Sequence, residues 1–237
     1  MSLFRRTPDE RRLRALRSAA PGPLRDHLAV ALPDPATPLD DLGLLALDLE
    51  TTGLDTGTDR VLSLGWVPVD GGRIVLGGAQ RFVVLDEGGP GRDEGVGQSA
   101  TVHGLTDDAI AAGVPLADAV AALLVALAGR ALLAHYARIE TGFVAGACER
   151  MWGGVPAFVV VDTFVLERRA HGGHWGHEPP PGALRLWAAR ERRRLPVYRA
   201  HEALTDALAC AELYLAQKAE LEGRSPETTQ TLRQVMA

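Results

Sequence analysis

The sequence predicts an α/β domain on one mixed five-stranded sheet, three strands antiparallel and two parallel. Two observations carry the prediction. Three strand-like runs between residues 42 and 85 are joined by connections too short for anything but antiparallel neighbours. Beyond residue 115, strand-like and helical runs alternate, which implies parallel crossovers. With 237 residues, 46% of them hydrophobic, the chain suits one globular domain with additions and can bury a sizeable core.

Residues 1–42 read as a helical N-terminal extension. It holds an arginine-rich amphipathic helix near 8–19, a short helix near 23–31 and a Pro-rich linker, "LPDPATPLDD". From Gly43 the pattern becomes that of strands: "LGLLALDLE", "RVLSLGWVPVD" and "GRIVLGGAQRFVVL", the last two joined by a turn at Gly71 and Gly72. After the Gly-rich "DEGGPGRDEGVG", "PLADAVAALLVALAG" is a helix ended by Gly129. "RALLAH" then reads as a buried strand, "RIETGFVAGACERMW" as a helix and "AFVVVD" as a further strand. "HGGHWGHEPPPG" separates these from a helix at 183–194 and a long last helix near 201–222. The main domain is thus expected over 43–222, with a polar, loose tail at 223–237.

The net charge of −5 argues against a protein that coats nucleic acid by bulk electrostatics alone. Between Arg168 and Arg199, however, eight arginines face two acids. Two readings stay open for them, a solvated helix face and a phosphate-facing flank. No run is long and apolar enough to span a bilayer, and no apolar stretch follows the N-terminal arginines, so the expectation is a cytoplasmic protein with no membrane partner. Cys148 and Cys210 lie far apart in sequence and are expected to be reduced and packed.

The chemistry begins at "LALDLETTGL", residues 45–54, where a greasy strand carries two carboxylates, Asp48 and Glu50. Residues two apart on a strand share a face, and like charges that close repel unless something positive lies between them. Glu140 opens the helix after the fourth strand, and Asp206 lies in the last helix, five residues after His201. A parallel sheet gathers its strand ends and following helix starts at one edge, so all four acids can converge there. Four carboxylates without cysteine are a ligand set for hard cations such as Mg²⁺ or Mn²⁺. Two such ions, roughly 3.5–4 Å apart, would turn the repulsion into a binding site, with Asp48 bridging them and Glu50 holding one.

"LDLETTGL", "LLAHYARIETGFV", "VVDT" and "HEALTDALACAEL" occur in the order and rough spacing of the DEDD 3′–5′ exonucleases, the group that includes the proofreading subunit of bacterial DNA polymerase III. The histidine five residues before the final aspartate resembles the DEDDh subgroup, and "HGLT" at 103–106 also matches. The resemblance covers about residues 43–217 and implies an RNase H-like fold with two divalent ions. It further implies that Asp48, Glu50 and Asp206 bind the ion nearest the attacking water, that Asp48 and Glu140 serve the second, and that His201 is the general base. A neutral imidazole can accept a water proton at neutral pH, where a lysine stays protonated.

Thr51, Thr52, Gly53 and Leu54 would meet the terminal nucleotide, with Leu54 against its base; His103 and Tyr136 are further nucleotide contacts on this reading. The implied partners are single-stranded DNA or RNA 3′ ends, and a polymerase or other subunit reached through the N-terminal extension. Loss of monophosphates without much sequence preference would follow, because stacking and phosphate contacts are largely sequence-blind. An RNA-trimming enzyme and a catalytically lapsed binding module are the rival readings.

The match is imperfect. Where the family runs His-Asn-Ala-x-Phe-Asp, this chain has "HYARIE", placing Tyr136, Ile139 and Glu140 at the altered positions. Glu140 adds a methylene to a metal ligand, so a changed metal preference favouring Mn²⁺ is expected. Asp162 is read as the N-cap of the helix that follows it rather than as a ligand. His103 reads equally as a loop residue. His171, His174 and His177 read as a phosphate-contacting loop rather than a zinc site, with Trp175 free to stack on a base, while Trp66, Trp152 and Trp187 belong in or near the core.

Overall fold

The computed structural model describes residues 6–85, 111–171 and 179–237. Its centre is β1 (Gly43–Thr51), flanked by antiparallel β2 (Val61–Asp70) and parallel β5 (Ala131–Ala134), with β6 (Val160–Asp162) parallel to β5. On the outer edge of β2 lie β3 (Arg73–Ile74) and β4 (Gln80–Val83), paired with Val69–Asp70 and with Ser63–Trp66 respectively. The mixed sheet is as expected, but its third strand is cut in two by a 3₁₀ turn at Leu76–Gly78, giving six strands in five positions. Pro68 supplies the reason. It has no N–H to give the outer neighbour, so only its carbonyl pairs, accepting from Val75 N–H at 2.8 Å, and the edge chain detours before pairing again.

The period of two along β1 sorts its side chains. Leu45, Leu47 and Leu49 face a core shared with α3 (Leu116–Leu127), with α4 (Arg138–Trp152) through Phe143 and Val144, and with α2 (Pro23–Ala29) through Leu24 and Leu28. Leu44 and Ala46 face the opposite core, where Cys210, Ala211 and Tyr214 of α7 (Ala203–Arg224) pack on the sheet. Asp48 and Glu50 continue the second register toward α7.

The N-terminal extension covers the domain's own surface. Thr7 and Glu10 cap α1 (Pro8–Ser18) reciprocally, Arg12 donates to the Leu28 carbonyl at 2.7 Å, and His27 Nδ1 lies 3.0 Å from the Leu124 carbonyl of α3. The tail is not loose as expected. Thr231 and Gln234 cap α8 (Leu232–Val235), Leu232 and Val235 are buried, and Met236 bridges to Val161 of β6 while Ala237 N–H donates to the Val160 carbonyl at 3.0 Å. Two apolar residues three apart, too few to show a period in a polar stretch, dock it. No helix of the described residues is long and apolar enough to cross a membrane.

Candidate active site

Across the β1–β2 ladder Asp48 faces Gly65 and Glu50 faces Ser63. A Cβ on Gly65 would stand 2.3 Å from the Leu204 nitrogen and 2.6 Å from the Ala203 carbonyl carbon, so only glycine lets the start of α7 lie directly on the sheet here. That contact lowers the first turn of α7, with Asp206, onto the acid pair. One carboxylate oxygen from each of Asp48, Glu50 and Asp206 lies within 4.8 Å of the others.

Burial and mutual repulsion raise the proton affinity of the whole group. Glu50 is pushed up to about 8 by burial and by the charges of Asp206 and Glu202, with Arg81 pulling the other way. Asp48 is held well above the usual carboxylate range by burial and then by Glu140, Asp206, Glu50 and Glu202. Asp206 is raised by burial, opposed by the backbone N–H and the ring of His201. Asp206 Oδ1 and Glu140 Oε2 are buried without a hydrogen-bond partner among the described residues. Crowded and oxygen-only, the set fits a hard divalent cation.

Glu140 lies beside this trio rather than within it. It is buried in the first turn of α4 and contributes the largest single charge acting on Asp48. Burial raises it to about 8, opposed by its own backbone N–H and reinforced by Asp162. The turn that delivers it is clamped by Asp162, whose Oδ1 accepts from Tyr136 N–H and Phe164 N–H at 2.9 Å each and whose Oδ2 accepts from Ala137 N–H at 3.0 Å. Asp162 therefore serves the start of α5 (Thr163–His171), as the cap reading holds, and fixes the β5–α4 turn as well. Tyr136 adopts a left-handed backbone, φ 72°, with its ring edge-on to Phe164 at 5.3 Å.

His201 is exposed, also left-handed at φ 67°, and its backbone N–H donates to Asp206 Oδ2 at 3.1 Å. Glu202 follows as the N-cap of α7, accepting from Thr205 N–H at 2.8 Å, and pairs with Arg81 Nε of β4 at 2.8 Å. Neither Glu202 nor Arg81 stands out in the sequence, although Glu202 occupies the position where a helix-capping acid belongs.

The turn after β1 is self-braced. Thr51 Oγ1 donates to the Gly53 carbonyl at 2.6 Å, and Thr52 Oγ1 donates to Asp59 Oδ1 at 3.0 Å, against which a Cβ on Gly53 would collide. Leu54 projects from it, 74% exposed. Next to it, Gly142 of α4 meets Thr56. His103, His174, His177 and Trp175 lie outside the described residues; His171 ends α5 with its Nδ1 3.0 Å from the Glu167 carbonyl. Trp66 is fully buried, whereas Trp152 and Trp187 are half-buried.

Comparison with known proteins matches residues 45–214, more than half of the chain, to the RNase T family, described as exonuclease. A DNA polymerase III subunit epsilon-like protein of Rhodobacter capsulatus is 31% identical over 193 residues, spanning 81% of this chain and 26% of its own length. A PolC-type DNA polymerase III of Listeria monocytogenes is 29% identical over 198 residues, 81% of this chain and 12% of the relative. The chain thus spans about a quarter or less of these relatives. Among solved structures, E. coli exonuclease I in complex with a dA16 oligonucleotide superposes with a TM-score of 0.63 at 17% identity over 79% of this chain and 42% of that one. Cell-death related nuclease 4 gives a TM-score of 0.59 at 16% identity, covering 76% and 65%. These two likenesses are of fold.

Proposed function

Because this chain belongs to the RNase T exonuclease family, we propose that it is a divalent-metal-dependent 3′–5′ exonuclease that releases nucleoside monophosphates from single-stranded DNA ends. The observation that carries the proposal is the meeting of Asp48, Glu50 and Asp206 within 4.8 Å, with the backbone of His201 tied to one of them. The DNA substrate is supported by the polymerase relatives and by the DNA-bound neighbour of the same fold.

Asp48, Glu50 and Asp206 would hold one Mg²⁺ or Mn²⁺ ion, and Asp48 with Glu140 the second. When bound, such ions stabilise charge developing on the phosphate and make water a better nucleophile. The chain's own residues do the rest. A ring nitrogen of His201 takes the proton of the attacking water, and the Asp206–His201 backbone bond fixes the loop that presents the ring. Asp206 holds that position because the first turn of α7 lies flat against Gly65. Thr51, Thr52 and Gly53 shape the rim for the terminal nucleotide; exposed Leu54 offers an apolar surface to its base. Tyr136 is the further nucleotide contact, with an exposed ring that stands edge-on to Phe164. A polymerase subunit docking through the N-terminal extension is the corresponding proposal for a partner.

The test incubates 3′-extended labelled DNA and RNA strands with the purified chain, with Mn²⁺ or with EDTA, beside Asp48→Ala and His201→Ala. Stepwise loss from the 3′ end, abolished by EDTA and by Asp48→Ala and much reduced by His201→Ala, is the expected result. Binding without trimming would reduce the protein to a nucleic-acid-binding module, and faster trimming of RNA would reassign the substrate.

A further inference from the structure

The arginine-rich segment divides into two populations. Arg190, on α6 (Leu186–Arg192), is buried, donating to the Ala209 carbonyl at 2.6 Å and the Pro196 carbonyl at 2.8 Å and lying against the rings of Trp187 and Tyr198. Arg192 and Arg193 pair with the buried carboxylate of Glu167 at 2.6 and 2.8 Å. These three hold the fold together. Arg168 and Arg185 differ: both are exposed, and neither side chain has a hydrogen bond or ion pair with another described residue. Both line one open cleft of about 470 Å³, whose apolar wall is Phe164, Leu184 and the proline run at 179–181.

The position of the cleft gives it meaning. Phe164 and Arg168 are four residues apart on α5, hence on one face. Phe164 also touches Tyr136 edge-on, and the two share Asp162 Oδ1 as backbone acceptor. The cleft is therefore fastened, through Phe164, to the same turn that delivers Glu140 to the acids. Two guanidinium groups, an aromatic ring and flat proline faces, with no carboxylate among the described lining residues, suit phosphodiesters and bases together.

We propose that this cleft is a second nucleic-acid subsite, which holds the strand 5′ of the scissile bond with Arg168 and Arg185 on its phosphates and Phe164 against a base. The strand direction rests on the nuclease reading above; the binding itself does not.

Fluorescence anisotropy of a labelled 16-nucleotide thymidine strand with the full chain in EDTA tests it. R168E/R185E is expected to weaken binding about tenfold or more and R168A/R185A by less, and the salt slope of log K falls by roughly 0.7 for each phosphate no longer neutralised. R224E/R233E, with the same change of charge at the far end of α7 and on the tail, is the control and should stay within about twofold of wild type on that charge-matched comparison. Wild-type affinity and slope in R168E/R185E, or an equal loss in the control, would overturn the subsite. The two readings separate on adding Mn²⁺. Arginine-dependent binding with no trimming sinks the nuclease and keeps the cleft, whereas trimming with arginine-independent binding does the reverse.

Discussion

Gly65 stands opposite Asp48 in the β1–β2 ladder, and the space of its missing side chain is taken by the backbone of Leu204. The acid site therefore depends on a residue with no chemistry of its own. Gly65→Ala places a methyl 2.3 Å from the Leu204 nitrogen, where backbone rather than a flexible side chain must yield. Overpacking of this kind costs about 1–3 kcal/mol, and here the displaced element carries Asp206, to which the backbone of His201 is tied. The expected outcome is a lower thermal midpoint together with at least a tenfold loss of turnover. Turnover equal to wild type would show that the seat of α7 does not set the site.

The Arg81–Glu202 pair is half exposed, so its direct worth to stability is about 1 kcal/mol or less. Its larger effect is expected on geometry, because Glu202 also caps α7 through Thr205 N–H and sits next to His201. Arg81→Gln should lower kcat severalfold with little change in KM, while the melting temperature moves by no more than a few degrees. A variant with unaltered kcat would remove Arg81 from the positioning of the loop.

Proton linkage gives a third expectation. Glu50 and Glu140 are raised from the ordinary range of about 4.3 in model peptides to about 8 in the fold. A raised carboxyl binds its proton more tightly folded than unfolded, so the metal-free protein loses stability as pH climbs from about 4.5 towards 8. Glu167, against the opposing effect of burial, is shifted the other way by Arg192, Arg193 and Gln217, and burial lowers His27 and His135, so these three add stability as pH rises to about 6.5 and a scan begun at about pH 7 avoids them. In EDTA the melting temperature should fall from about pH 7 to 8.5, and Mn²⁺ or Mg²⁺ should restore it most at the alkaline end. A flat or rising profile in EDTA contradicts the assignment.

Glu140 lies next to the three-carboxylate group, not inside it. Glu140→Gln keeps the shape and removes the charge, and is expected to cut activity about 10- to 100-fold, the range for disturbed metal-site residues. Glu140→Asp shortens the reach and should alter the ratio of Mn²⁺- to Mg²⁺-supported turnover. If neither substitution changes rate or metal dependence, Glu140 is not a ligand.

What the sequence reveals follows from distance along the chain. The two faces of β1 are legible because alternation is local, and the Asp48–Glu50 pair and the His201–Asp206 interval are legible because each sits within one element or its cap. The cut in the third strand depends on Pro68 of β2 meeting the edge chain, which requires knowing the register. Arg81 and Glu202 are 121 positions apart by number, and nothing local announces their contact. The arginine run reads in sequence as surface charge, yet Arg190, Arg192 and Arg193 are internal fastenings whose acceptors lie on other helices or in the loops between them. For Asp162 the cap is visible from its own neighbours, while its hold on Tyr136 and Ala137 spans two strands.

The short antiparallel bridge between Met236 and Val161 has a bearing on solubility. It lies along the flank of β6 that β5 does not occupy, where a strand would otherwise offer unsatisfied amides and carbonyls to any passing chain. Residues 232–237 thus act as a guard rail against self-templated stacking, and shortened versions of the protein should become aggregation-prone well before they lose their ability to fold.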